Sequence, residues 1–277
     1  MTKLTKNLGL LASLLLIGTV IAGCGKQEAA KKEKEVVVKV GVVGEVNEPW
    51  EYVQKKIAKQ ENIRIELVKF SDYNAPNTAL DNGDIDINAF QTEIFMDNVN
   101  KESGYENTSI GYTSMNPLGI YSKSYNGLKE LQTGDKVAIP NDVSNEGRAL
   151  LLLQTAGLIE LNPEAGLLPT VKDITKNDLD LAITTLDSNQ TARALEDVDI
   201  SVINSGMAVD AGLIPTEDAL FLEPVNEDST PYYNVISVRK ADVENKTYQT
   251  VVKYFQTDGT AKVIKESSKG ASVPIWK

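Results

Sequence analysis

The residue of this 277-residue chain best shaped for recognition chemistry is Arg148, in the stretch Ile139–Gly157, IPNDVSNEGRALLLLQTAG. A guanidinium can grip a carboxylate through two parallel N–H bonds. The stretch has the pattern of a strand end, a turn and an apolar helix, with Ser144 or Asn145 as N-cap and Leu150–Leu153 on the buried face. That pattern puts Arg148 in the first helical turn, at the positive pole of the macrodipole, where a cation is disfavoured unless an anion lies close. The free amides of the same helix end would help to bind that anion. The competing explanation is a local salt bridge to Glu146 or Asp142.

In open α/β sheets ligands lie beyond the carboxyl ends of the strands. That rule selects Ser71, Asp72 and Tyr73 after IRIELVKF, and Asn88, Phe90 and Gln91 at the end of DIDI. It also selects Asn141, Asp142, Asn145 and Arg148 after KVAIP, Asn204 after VDISVI, and Asn234 beside Tyr232 and Tyr233. One cation, several carboxamides and several aromatics suit a zwitterion with an apolar tail. Arg148 would hold the carboxylate, and the side-chain carbonyl of Asn204 or Asn234 would accept from an ammonium. Tyr73 and Phe90 would wall the apolar part. The plainer alternatives are Asn as turn or cap residues, aromatics as core, and Arg193 paired at the surface with Glu196. The acidic pairs Asp84/Asp86 and Glu61/Glu66 fit solvated strand faces. DIDIN opens like an EF-hand loop, but Ala89 and Phe95 stand where the glycine and the glutamate belong, so calcium is rejected.

Composition removes whole classes of function. There is no histidine, which excludes Ser-His-Asp hydrolysis, Cys-His proteases, HExxH zinc sites and facial-triad iron. One cysteine allows no internal disulfide and no Cys-based metal cluster. No GxxxxGK[ST] occurs, so the chain is not a P-loop ATPase. A net charge of −11 argues against nucleic-acid binding. The expectation is a binding protein without catalysis, cofactor or metal.

The elements that must position these residues follow an α/β rhythm. EVVVKVGVVG is a β-branched run suited to a strand buried on both faces of a parallel sheet. Pro49 can open a helix that puts Trp50, Val53 and Ile57 on one face. IRIELVKF, DIDINAF, LGIYS, KVAIP, LDLAITTLD, VDISVIN, ALFLEPV and YYNVISVRK follow as strands. Helices are expected at Ala75–Asp81, Glu93–Asn100, Thr191–Glu196, Tyr248–Phe255 and Ala261–Ser267. Length and rhythm fit two α/β lobes on mostly parallel sheets. The expected divisions are 37–117 with 229–277 as the first lobe and 118–228 as the second. The chain would cross near Pro117–Ser122 and again near Asp228–Asn234.

The N-terminus is expected to be a sorting signal. Lys3 and Lys6 precede an apolar segment, Leu8–Val20, too short for a comfortable membrane span. It ends in Ile21-Ala22-Gly23-Cys24, which resembles the bacterial lipobox. In such signals residues 1–23 are removed and a diacylglyceryl group is added to the cysteine, and two acyl chains suffice for stable anchoring. The segment 24–36, which contains GKQEAAKKEKE, fits a solvated tether.

Taken together, the motifs resemble the NlpA family of bacterial lipoproteins. They are the lipobox, VKVGVVG, VKFSDYNAPNTAL, GDIDINAFQ, VAIPNDVSNEGRALLLLQTAGLI, GLLPTVKDI, VINSGMAVDAGL, PYYNVISVR and the terminal VPIW. The resemblance implies a two-lobe, periplasmic-binding-protein clamshell of α/β class with a ligand cleft between the lobes. It implies capture of an amino acid, foremost L-methionine, and delivery to an ABC permease driven by a separate ATPase subunit. The protein would be a monomer, lipid-anchored on the extracytoplasmic face of the cell membrane. Arg148 would hold the ligand carboxylate, Asn145, Asn204 and Asn234 would line the polar end, and Tyr73 and Phe90 the side-chain pocket. Thr92 stands where many methionine-binding members carry histidine, and Asn116 where many carry an aromatic. Both positions bear on whether the cargo is L-methionine, D-methionine, a dipeptide such as Gly-Met or another apolar amino acid. A surface lipoprotein without a small ligand and a carboxylate hydrolase are the remaining rivals.

Overall fold

The computed structural model describes residues 34–276. The expected signal segment 1–23, Cys24 and most of the tether lie outside the described residues. Along the chain run β1 (Val36–Val43), α1 (Glu48–Gln60), β2 (Ile63–Phe70), α2 (Ala75–Asn82), β3 (Ile87–Asn88), α3 (Glu93–Ser103) and β4 (Asn107–Met115). Next come β5 (Gly119–Tyr121), β6 (Lys136–Pro140), α4 (Val143–Thr155), β7 (Glu160–Leu161), β8 (Ile174–Lys176) and β9 (Ala182–Leu186). They are followed by β10 (Ile200–Ile203), α5 (Ser205–Asp210), α6 (Pro215–Asp218) and β11 (Phe221–Leu222). The last described elements are β12 (Tyr233–Arg239), α7 (Lys246–Phe255), α8 (Asp258–Ser267) and β13 (Val273–Pro274). Among the described residues no helix is long and apolar enough to cross a membrane.

Two sheets make two lobes. One runs β13-β4-β12-β3-β1-β2 and the other β11-β5-β10-β6-β9, while β7 and β8 pair separately. Parallel pairing is confined to β1 with β2 and β3, and to β6 with β9 and β10. The remaining strands of the two sheets pair antiparallel, so the sheets are mixed rather than mostly parallel. The antiparallel strands flank the two places where the chain passes between sheets, from β4 to β5 and from β11 to β12. There the chain has no crossover helix of the kind parallel pairing requires.

The first lobe's core forms where the amphipathic faces predict it. Trp50, Val53 and Ile57 are the buried face of α1, with a proline at the helix start. Trp50 packs on Phe255 at 4.5 Å between ring centroids, and Phe255 on Trp276 at 5.7 Å. These contacts bring α7, α8 and the C-terminal tryptophan into one core with Val38 and Val40 of β1. In the second lobe Leu150 and Leu153 of α4 pack against Val137, Ile139 and Val202.

Two local expectations fail, and one strand was not foreseen. The segment Thr191–Glu196 is not an α-helix: it follows one 3-10 turn, Ser188–Gln190, and ends in another, Arg193–Glu196. Glu196 pairs with Lys123, not with Arg193. And β4, the nine-residue strand NTSIGYTSM, has no aliphatic run to announce it. It is held by ladders on both sides, to β12 and β13, and its Gly111 lets α7 approach closely, since a Cβ there would lie 2.7 Å from Val252 Cγ1.

The lobes touch away from the crossings. Asp210 at the end of α5 accepts the backbone N–H of Glu45, at 3.1 and 3.2 Å to its two oxygens, and that of Val46 at 3.3 Å. Gly44 makes room: its φ is +82°, and a Cβ there would stand 2.3 Å from Asp210 Oδ2. Two successive amides after a left-handed residue form an anion-binding concavity. Asn189 Nδ2 donates to Ser71 O at 3.1 Å, which adds a second bridge.

Candidate functional site: a cleft between the lobes

Between the lobes lies a cavity of about 200 Å³, lined from both sides. That is smaller than the pockets that hold drug-sized ligands and suits a molecule of amino-acid size. Of the residues singled out from the sequence, Tyr73, Phe90, Gln91, Thr92, Asn116, Asn145, Arg148, Asn204 and Asn234 line it, whereas Ser71, Asp72, Asn88, Asn141, Asp142, Tyr232 and Tyr233 do not.

Arg148 is 3% exposed and is fixed on three sides. Its Nε and Nη2 donate to the two carboxylate oxygens of Glu223 at 2.9 and 2.6 Å. Nη2 also donates to Asn116 O at 2.9 Å and approaches Met115 Sδ at 3.4 Å. The ring of Tyr232 lies beneath, with its centroid 4.5 Å from the guanidinium carbon. Among the described residues Nη1 alone of the three guanidinium nitrogens makes no hydrogen bond. Arg148, which lines the cavity, therefore keeps one guanidinium nitrogen uncommitted among the described residues.

The helix that carries it differs from the sequence expectation in a way that matters. Helix α4 starts at Val143 and is capped by Asp142, whose Oδ1 accepts Asn145 N at 2.9 Å. Ser144 and Asn145 are inside the helix, and Arg148 sits in its second turn. The positive pole of the macrodipole is met by a carboxylate from the chain itself, which takes up one of the helix's free amides, that of Asn145. The salt-bridge partner is neither Glu146, which accepts Val171 N at 3.1 Å, nor Asp142, but Glu223. Burial pushes Asp142 above the ordinary carboxylate range, against the pull of its hydrogen bonds to Asn145, Ser144 and Ser188.

The carboxamides are ordered by their neighbours. Asn204 Nδ2 donates to Asn145 Oδ1 at 2.9 Å, and Asn204 Oδ1 is buried without a partner among the described residues. Asn234 Nδ2 donates to Phe90 O at 2.7 Å, and Asn234 also bridges to Thr92. Thr92 caps α3 by accepting Phe95 N at 3.3 Å, which gives it a structural duty at the cavity edge. Asn116 Oδ1 accepts Ser114 Oγ at 3.0 Å.

Tyr73 and Phe90 stack at 5.3 Å, and Phe95 meets both edge-on, at 6.2 and 5.8 Å. Such offset and edge-on pairs are favourable geometries for aromatic rings. Burial pushes the Tyr73 hydroxyl well above its ordinary value, so it stays a neutral donor. Behind this wall Asn77 locks Gln91: Asn77 Nδ2 donates to Gln91 Oε1 at 2.6 Å, and Gln91 Nε2 donates back to Asn77 Oδ1 at 3.0 Å. Phe90 and Thr92 flank a residue whose side chain is thus immobilised.

Sequence reasoning missed Glu223, Tyr232 as the platform under Arg148, and Phe95. Glu223 carried a usable signal, a lone carboxylate inside the apolar stretch ALFLEPV. The dyads Asp84/Asp86 and Glu61/Glu66 are not at the cleft; Asp86 instead accepts Lys39 N at 2.8 Å and Tyr248 OH at 3.0 Å. Among the described residues no group of three or more His, Cys, Asp or Glu is arranged to hold a metal ion.

This geometry has close counterparts. A model of the NlpA lipoprotein family matches residues 38–276. The D-methionine-binding lipoprotein MetQ of Salmonella typhimurium is 40% identical over 265 residues, 94% of this chain and 95% of its own. Protein PG110 from Staphylococcus aureus, known from a crystal structure, is 45% identical with a TM-score of 0.83, over 86% of this chain and 94% of its own. A nutrient-binding protein from Burkholderia cenocepacia, solved bound to methionine, is 43% identical with a TM-score of 0.83, over 86% of this chain and all of its own. Sequence and two-lobe fold agree over nearly every described residue, and the chain belongs to the NlpA lipoprotein family.

Proposed function

We propose that this protein is the solute-binding lipoprotein of an ABC importer, taking methionine in the cleft and handing it to the permease and its ATPase. The observation that carries the reading is the pairing of an unused Arg148 Nη1 with an unpaired, buried Asn204 Oδ1 in a cavity of about 200 Å³ walled by Tyr73, Phe90 and Phe95. A donor for a carboxylate, an acceptor for an ammonium and an apolar wall describe an α-amino acid with an apolar, uncharged side chain. Glu223 already neutralises Arg148, so the site favours a ligand that is neutral overall, a zwitterion rather than a simple acid.

In this reading Asn145 and Asn234 hold the polar end in register, and Thr92 and Asn116 shape the cavity edge. Cys24 carries the lipid that tethers a monomer to the extracytoplasmic face of the membrane. The lobes are 37–117 with 229–277, and 118–228, closing about the two crossings.

The enantiomer is the finer question. L-methionine is our first choice; D-methionine is favoured by the name of the Salmonella relative. Calorimetry on the purified protein with L-methionine, D-methionine, Gly-Met and leucine tests both. Tight binding of one methionine enantiomer supports the reading, and preference for leucine or for the dipeptide replaces the cargo. Absence of binding to all four removes the function.

A further inference from the structure

Asp142 is not on the cavity wall, yet its hydrogen bonds decide what the wall presents. Its two oxygens accept Asn145 Nδ2 at 2.9 and 3.0 Å, and Oδ1 also accepts Asn145 N and Ser144 Oγ at 2.9 and 3.1 Å. Oδ2 accepts Ser188 Oγ at 3.2 Å. An ionised carboxylate accepts only, so Asn145 has to turn its NH2 toward Asp142. Its carbonyl then faces Asn204 and accepts Nδ2 at 2.9 Å. With the NH2 of Asn204 committed, Oδ1 is left as the free acceptor of a residue that lines the cavity. Asn204 is 9% exposed, and that oxygen is buried without a partner among the described residues. A buried acceptor left unmatched costs free energy, which a ligand donor recovers.

We propose that Asp142 is a positioning residue for selectivity: through Asn145 it fixes Asn204 Oδ1 as a polarised acceptor, so that the cleft discriminates ligands bearing an α-ammonium from those without one. The inference rests on the reading of the cleft as an amino-acid site. Aligned amide dipoles strengthen one another in a chain of hydrogen bonds, and the buried charge at the far end adds to the negative potential at Asn204. Asp142 itself never touches the ligand. Asn145 lies in α4 and Asn204 just past β10, both on the sheet β11-β5-β10-β6-β9 side of the cavity, so the relay is built within one lobe.

The test compares L-methionine with its des-amino analogue 4-(methylthio)butanoate, by calorimetry on the full chain. Asp142→Asn preserves a residue that caps helices well, but it can offer Asn145 a donor in place of an acceptor. The expected result is a loss of about tenfold to a hundredfold in methionine affinity with the analogue changed about twofold or less. A merely structural role for Asp142 would weaken both ligands alike. Asn204→Leu, which leaves the α4 cap in place, should compress the same ratio and decides the matter if Asp142→Asn does not fold. Equal losses for both ligands, or an unchanged ratio in Asn204→Leu, overturn the relay while leaving methionine binding by the native chain intact. If the native chain binds neither ligand, the amino-acid reading fails and the relay with it.

Discussion

Arg148 rests on Tyr232, its guanidinium carbon 4.5 Å from the ring centroid, and Tyr232 belongs to the segment by which the chain returns to the first lobe. Its other partners come from the same neighbourhood. Met115 and Asn116 lie at the outward crossing, and Glu223 at the start of the return. Glu223 also accepts Leu118 N at 2.9 Å, which ties the two crossings together. The residue read as the ligand anchor is therefore seated on both connections between the lobes.

Replacing Arg148 with alanine should weaken methionine binding by about 2–5 kcal/mol, since a charged hydrogen-bonding partner is lost from a desolvated site. The substitution also strands Glu223, so the free protein should melt lower. Arg148→Ala combined with Glu223→Gln should recover part of the melting temperature and none of the affinity. Recovery of affinity in calorimetry would exclude a role for Arg148 at the ligand.

Glu223→Gln should shift the preference of the cleft. Removing the carboxylate leaves Arg148 uncompensated, and breaking a buried pair of this kind costs about 3–5 kcal/mol of stability. A ligand with a net negative charge, such as 4-(methylthio)butanoate, should then gain affinity relative to methionine. An unchanged ratio between the two would show that Glu223 acts only in folding.

Asp142 carries a pH signature. In the unfolded chain it ionises in the ordinary range, and in the folded chain burial moves that ionisation higher. The stability attributable to this residue is present below the ordinary value and is lost as pH rises through the folded value. Asp142→Asn has no such step. Its melting temperature relative to the native chain should therefore climb as pH is raised from below about 3.9 toward neutrality. A difference that is flat over that interval would contradict the burial effect.

Gly44→Ala should speed release of the ligand. The position has φ +82°, and the added Cβ would stand 2.3 Å from Asp210 Oδ2, so the turn or the carboxylate must move. The dissociation rate in stopped-flow displacement should rise with the association rate nearly unchanged. A release rate equal to that of the native chain would rule out this contact as a brake on lobe opening.

Much of the site was legible because strand ends in α/β sheets are where ligands gather. Tyr73, Phe90, Asn145, Arg148 and Asn204 all follow strands, Asn234 stands at the start of β12 beside two tyrosines, and Thr92 and Asn116 came from comparison with a family pattern. The amphipathic face of α1 and the apolar face of α4 were equally plain. What sequence did not disclose depends on distance in space. Glu223 is 75 residues from Arg148, and no local pattern ties the two. The cap of α4 moved two residues because Asp142 and Ser144 are both good caps, and the contact with Ser188 favours the first. Strand β4 escaped because its Thr, Ser and Tyr residues are held by ladders on both sides rather than by an apolar face.

The contact of Asp210 with the first lobe has a consequence for how this surface tolerates change. Its donors at Glu45 and Val46 are main-chain amides, so any side chain but proline at those positions leaves the donors in place. The constraint falls on Gly44 and Asp210 alone, one for its shape and one for its charge. The composition of the rim can therefore vary without removing this contact between the two sheets' ends.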